Sequence, residues 1–436
     1  MKSQKFRLFI IVSTLCSSSS FSQHLIDIQR DTLMATHRII SIDNTTQSLN
    51  INSDSVRSLI EQYYYDQFRH TQNPNAPYFI FMSRDAQLSM GIGGDVRMRG
   101  YYDWNGAIPT PGFAPYLIPA KPDPTNRNSI NTTPAGTCLF FRVIGRNDIV
   151  GNYQLYIECN FDGYNARDFH LKKAYAIIKD LTIGYASSTF SDPAALPQII
   201  DAQGPCNKIT PTNVLVRWMP TIKQKWIGAI SLETPSSQIT TDSTTQKVSS
   251  WLPDIATFIQ YQMDKSSHIR LSGILRMLSY RDMLKNKNKN ELGWAVMLSS
   301  VARPTKNITT YFTMNYGHGY SSLGGDLMIG AYDLIPKNNQ RGHLYAPASF
   351  GWCLGVQYNF KPNLFVSSSL SQTRYLPKSN NNPAEYKYGI CGNINLFWNI
   401  TPRMLCGVEF DYGMRKDFSG EKRFAKRAEA VFQFSF

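Results

Sequence analysis

"SHIRLSGILRMLSY", Ser267–Tyr280, carries two unlike faces. Ile269, Leu271, Leu275 and Met277 share one side, and His268, Arg270 and Arg276 share the other. A period of two is the mark of a strand. A soluble sandwich strand would bury its apolar side against a second sheet. Here the polar side carries full charges, which suits a wall with water on one side and hydrocarbon on the other. Neighbouring segments repeat the pattern. In 151–163, Tyr153, Leu155, Ile157, Cys159 and Phe161 oppose Gln154, Tyr156, Glu158 and Asn160; in 349–360, Phe350, Trp352, Leu354, Val356, Tyr358 and Phe360 oppose Gly351, Cys353, Gly355, Gln357 and Asn359.

Between residue 88 and the end, sixteen such segments follow one another, several near the 9–11 residues that a tilted strand needs to cross a bilayer. Their connections alternate. Short ones include "IKD" (178–180), "PTIKQ" (220–224), "DKSS" (264–267), "RPTKN" (303–307), "KPN" (361–363) and "TPR" (401–403); long ones span 104–137, 188–212, 234–253 and 318–348. Short turns at one end, long loops at the other and an even strand count describe an all-β, antiparallel transmembrane barrel with both termini in the periplasm. Closure removes the sheet edges that hydrocarbon would not tolerate. The final strand, "AEAVFQFSF" (428–436), ends on Phe436. That ending is similar to the signal by which the outer-membrane assembly machinery of Gram-negative bacteria recognises its barrels.

The other end reads as an export signal. Lys2, Lys5 and Arg7 precede the apolar run Leu8–Leu15, and small Ser20 and Ser22 set up cleavage before Gln23. Leu15 is too bulky for a lipoprotein motif at Cys16. Residues 1–22 carry three basic and no acidic groups, so the formal charge of +14 falls to +11 on their removal. Segment 23–76 is polar. It is expected to hold at most one short helix, at 54–68, with the barrel spanning 77–436. Charged residues make up only 17 % of the chain and aromatics 13 %, a balance that suits a surface partly out of water. Six cysteines remain after residue 22, with no C-x-x-C pair. They form no disulfide scaffold, and a bridge such as Cys138 to Cys206 stays open.

"PYFIFMSRDAQLSMGIGGDVRMRGYYDW" (77–104) resembles the first strand of the DcaP-like trimeric outer-membrane porins of Bacteroides-type bacteria, and "IGYASSTFSDPAALPQIIDAQGP" (183–205) resembles their inward-folded third loop. The resemblance implies a homotrimer of sixteen-stranded barrels that pass small anionic or polar solutes. It also implies that a loop near 188–212, with Ser188, Phe190, Asp192 and Asp201, folds into the pore.

No catalytic constellation is specific. "GIGG" (91–94) has no following helix to hold a phosphate and reads as relief of crowding inside the barrel, and His318 beside Ser321 is expected by chance. No enzyme activity, metal, cofactor or nucleic-acid partner is expected. The strand registers place Arg97, Arg99, Arg142, Arg146, Arg217, Arg270, Arg276 and Arg427 inside, with Asp95, Glu158, Glu233, Glu409, Asp411 and Glu429. Two roles stay open for the arginines: a lining that sets the pore potential, or braces paired with neighbouring acids. Two functions stay open for the chain: a porin for passive diffusion, or a barrel anchor whose long loops, especially 104–137 and 318–348, grip a glycan or host ligand.

Overall fold

The computed structural model of the chain describes residues 38–41, 79–83, 87–104, 108–162, 168–223, 225–264, 266–378 and 382–436. The expected export signal and the helix expected at 54–68 lie outside the described residues.

Sixteen strands form one closed barrel: β1 (Leu88–Trp104), β2 (Cys138–Asn147), β3 (Gly151–Asp162), β4 (Asp168–Ile178), β5 (Leu181–Ser187), β6 (Thr212–Trp218), β7 (Trp226–Glu233), β8 (Asp254–Asp264), β9 (Ser267–Asp282), β10 (Lys287–Ala302), β11 (Ile308–His318), β12 (Ala348–Lys361), β13 (Leu364–Leu376), β14 (Tyr386–Thr401), β15 (Met404–Asp417) and β16 (Lys422–Ser435). Each pairs antiparallel with the next. β16 closes the circle on β1, with Glu429 opposite Tyr101 and Arg427 opposite Asp103. The connections on one side, such as 179–180, 362–363 and 402–403, never exceed the seven residues of 219–225, while the other side carries 105–137, 188–211, 234–253 and 319–347.

The two faces of β9 separate as its pattern demands. Ile269, Leu271 and Leu275 are exposed on the outer face, whereas His268, Arg270 and Arg276 are buried inside. The outer face of the other strands is equally apolar, with Leu292, Val296, Leu354, Val356, Ile394, Leu396 and Val408 exposed. A barrel turned inside out in this way has its lowest energy in a bilayer. Trp218, Trp226, Phe360 and Trp398 stand on that face near the short turns, where amphipathic rings favour the membrane–water interface.

The closing seam rests on Gly94. Its amide donates to the Phe436 carbonyl at 3.0 Å, and its carbonyl accepts from the Phe436 amide at 2.9 Å. A Cβ at this position would lie 2.4 Å from the Cys138 carbonyl oxygen and 3.0 Å from the Phe436 ring. Gly94 shares the outer side with Ile92 and Val96, so this part of "GIGG" relieves crowding at the outer seam and not inside the barrel. Beyond Phe436, strand Phe79–Met82 takes over the same edge of β1, with Phe79 opposite Ile92. Strand Arg38–Ser41 runs parallel to it, with Arg38 opposite Phe79. Sequence reasoning expects no strand in 23–76. This one forms because Phe79–Met82 presents a free edge once β16 has ended.

The long loops turn inward. Phe113 and Ile118 of the first loop pack with Cys206 and Cys391, and Tyr320 and Leu323 pack with Phe190 and Ile209. The segments singled out for an outward-gripping surface thus spend much of their apolar surface inside the barrel. The six cysteines among the described residues are free. The Cys138 thiol points to Asp95 and that of Cys206 to Ser371, so these two are not bridged.

Candidate functional site

The inside of the barrel is narrowed by segment 188–211. Its start is tied by Ser188, whose hydroxyl accepts from the Phe190 amide at 3.1 Å, while Phe190 itself is fully buried. Asp192 Oδ2 lies 2.8 Å from His268 Nε2 and accepts from Ser299 Oγ at 2.5 Å. Glu233 accepts from the Thr189 amide at 2.8 Å. Further on, Glu409 Oε2 accepts from the amides of Ile200 and Asp201 at 2.6 Å each. Cys206 and Asn207 then bond to Ser371 and Thr313. The segment is thus fastened to β7, β9, β10, β11, β13 and β15. Ser188, Phe190, Asp192 and Asp201 are all buried and serve as its fasteners.

Most inward arginines are braced. Arg427 makes a two-point bond to Asp103, at 2.7 and 3.1 Å, and donates to Pro111 O at 2.8 Å. Arg99 donates to Asp201 at 3.1 Å, to Glu429 at 3.0 Å and to Pro111 O at 2.8 Å. Arg276 joins Asp254 at 3.0 Å and Asp333 at 3.3 Å. Arg270 donates to Gln260 at 2.7 Å and to Ser191 O at 3.0 Å, over the Phe258 ring. Arg217 donates to Ser187 O at 3.1 Å. These five are buried, as is Arg142, which lies over the Tyr156 ring. Arg146, at the end of β2, is exposed. Arg97 differs from the buried set: it donates to Ile200 O at 2.6 Å and is half-buried.

The wall of β2–β4 takes no part in the fastening contacts. Here a β-bulge pairs Glu158 with Lys173 and the next residue, Cys159, with Leu171, leaving Lys172 extra. A bulge re-aims side chains, and consecutive lysines both reach Glu158, at 2.6 Å from Lys172 and 3.5 Å from Lys173. The Lys172 side chain is nevertheless 46 % exposed. Lys208, in the folded-in segment, is half-buried and donates to Ala202 O at 2.9 Å. Burial and the nearby charges of Lys172 and Arg97 hold its ammonium below the ordinary lysine range, with Asp201 opposing them. Arg97, Lys172, Lys173 and Lys208 are therefore grouped beside the folded-in segment, Lys172 exposed and the other three half-buried. Sequence reasoning found only the first. The break of alternation at "LKK" was the available signal for the two on β4; nothing in the sequence marks Lys208.

At the short-turn end a cavity of about 690 Å³ opens, with Gln198 of the folded-in segment among its lining and Arg303, Lys306 and Lys361 around it. His318 and Ser321 serve different partners: the imidazole reaches Ala346 O and the hydroxyl donates to Asp333.

The family model described as "DcaP outer membrane protein" matches residues 40–436. Among solved structures, the outer membrane channel DcaP of Acinetobacter baumannii is similar at 17 % identity and a TM-score of 0.68, covering 80 % of this chain and 98 % of that one. An anion-selective porin from Comamonas acidovorans follows at 10 % identity and a TM-score of 0.52, covering 80 % and 100 %. The trimer form of in-vitro folded OmpT of Vibrio cholerae is similar at 6 % identity and a TM-score of 0.50, covering 80 % and 99 %. No curated protein sequence matches.

Proposed function

The chain belongs to the DcaP outer membrane protein family and forms an outer-membrane channel, and from that premise we propose that it is a trimeric porin for passive diffusion of small anionic or polar solutes. One observation carries the reading: inside a wall whose other inward arginines are mostly buried and braced, four cations gather at the folded-in segment, the exposed Lys172 and the half-buried Arg97, Lys173 and Lys208. A constriction works through the charges that a passing ion meets. Braced arginines are largely neutralised by their partners. Two lysines of β4 share Glu158, which tips the local balance positive. The similar fold of an anion-selective porin agrees with this direction.

The same reading assigns residues 1–22 to export, both termini to the periplasm, Phe436 to recognition by the barrel-assembly machinery and the apolar outer face to lipid and to two further copies of the chain. Reconstituted into a planar bilayer, the protein should give a stable ohmic conductance whose zero-current potential in a KCl gradient favours chloride. A silent membrane would instead leave the barrel as an anchor.

A further inference from the structure

At the long-loop end of the barrel the outer face is not wholly apolar. Among the described residues, the strand registers turn five charged side chains outward there: Arg281 of β9, Arg374 of β13, Lys416 of β15, and Lys422 and Lys426 of β16. All are basic. Four lie within the adjacent strands β13–β16, and three of these share one cross-strand row. Arg374 pairs with Tyr388, Tyr388 with Lys416, and Lys416 with Lys422. With neighbouring strands about 4.8 Å apart, the row spans about 14 Å. Lys426 follows below, beyond Phe424 and opposite Tyr412.

Neighbouring acids do not answer this charge. Asp417 is taken by Arg415 and Arg423, and Glu421 by Arg423. Glu385 accepts from the Tyr332 hydroxyl. Among the described residues, the row is held together through an aromatic ring instead: Arg374 Cζ lies 5.3 Å and Lys416 Nζ 5.8 Å from the centre of the Tyr388 ring. Lys416 opposite Lys422 sets like charge against like, which destabilises a sheet, and an anion between them would reverse that effect. Below the row the face turns apolar. Phe424, Tyr412 and Phe410 are exposed there, so the cations stand where the lipid-facing band gives way to headgroups.

We propose that Arg374, Lys416, Lys422 and Lys426 bind the headgroup of an outer-leaflet lipid that carries more than one phosphate. An arginine fork matches phosphate oxygens, and lysines add point charge. Basic clusters beside a bilayer attract anionic headgroups. The exposed rings under the row offer a surface for the acyl chains of the same molecule, which a soluble anion would leave uncovered. A second copy of the chain is a poorer match, because the charged strand residues on this end of its outer face are basic too. The proposal rests on the orientation that sends the long loops away from the periplasm, and not on the ion preference of the channel.

The test uses the full-length protein in neutral detergent. The probes are lipid A with two phosphates, the same lipid with both removed, and inorganic phosphate; bound lipid is counted by native mass spectrometry. The folded protein should retain about one lipid A per chain and bind the dephosphorylated form at least tenfold more weakly. The combined variant Lys416→Gln, Lys422→Gln should lose binding by the same factor. It relieves like charge, and its folding is checked by heat-modifiable migration. Lys285→Gln, Lys287→Gln, at the exposed tip of the β9–β10 hairpin, should bind as the native protein does. Equal retention of both lipids, undiminished binding in the row variant or an equal loss in the hairpin variant would overturn the proposal. Displacement by inorganic phosphate would assign the row to a soluble anion and overturn it too. Lipid retention is read without current, so its outcome is separate from that of the channel reading. Orientation is read separately: Ser419→Cys, in the turn beside the row, should react with an impermeant maleimide on intact cells, and no reaction would put the row on the periplasmic side and overturn the assignment.

Discussion

Arg427 and Lys208 show two fates of a basic side chain inside this wall. Arg427 is fully buried and held by Asp103. Removing one partner of such a pair strands the other in a closed site, which costs about 3–5 kcal/mol. Arg427→Met should therefore lower stability by about that amount in denaturant unfolding followed by gel migration, and a loss below about 1 kcal/mol would mean that Asp103 finds water. Lys208 instead is half-buried in the folded-in segment, where it donates to Ala202 O. Its ammonium is held below the ordinary range, so it gives up its proton at lower pH than an exposed lysine does. Chloride preference should accordingly fall as pH rises into the alkaline range. A preference unchanged until ordinary lysines titrate would contradict this placement. Alternation alone put the arginines inside. Whether each is braced was not legible, because the braces come from distant segments: Pro111 O for Arg427, Asp201 for Arg99.

At the scale of elements, the strands were readable because each must present one face to hydrocarbon and one to water. Leu271→Arg should cost about 2–4 kcal/mol if the residue lies near the bilayer midplane, measured by unfolding from lipid vesicles; an effect near zero would place it in the headgroups. The seam was less readable. Gly94 carries the approach of the Cys138 carbonyl and the Phe436 ring, and even alanine would collide there. Gly94→Ala should reduce or abolish the heat-modifiable folded form in membranes, and normal assembly would show that the seam opens at little cost. Strand Arg38–Ser41 was invisible in sequence: four residues carry no period, and its partner Phe79–Met82 offers an edge only because β16 stops at Ser435. The bulge at Lys172 was missed for a related reason. A single extra residue looks like noise in an alternating pattern, yet it turns both lysines toward Glu158.

On the scale of the whole molecule, the barrel acts as a frame that its loops narrow from within. Loop length and alternation are written in the sequence, but the direction in which a loop folds is not. It follows from contacts such as Phe113 against Cys206 and Tyr320 beside Phe190, which join loops far apart in the chain. At physiological salt the screening length is about 8 Å, comparable to the width of a narrow pore. Only charges at the constriction should then govern which ions pass, and braced arginines should contribute little. The most direct test is the zero-current potential in a KCl gradient across a planar bilayer, compared between the native protein and the combined variant Lys172→Gln, Lys173→Gln, Lys208→Gln. The native channel should favour chloride, and the variant should move to or past zero toward potassium while keeping its ohmic conductance. An unchanged chloride preference in a folded, conducting variant would contradict the account and place the filter on other residues.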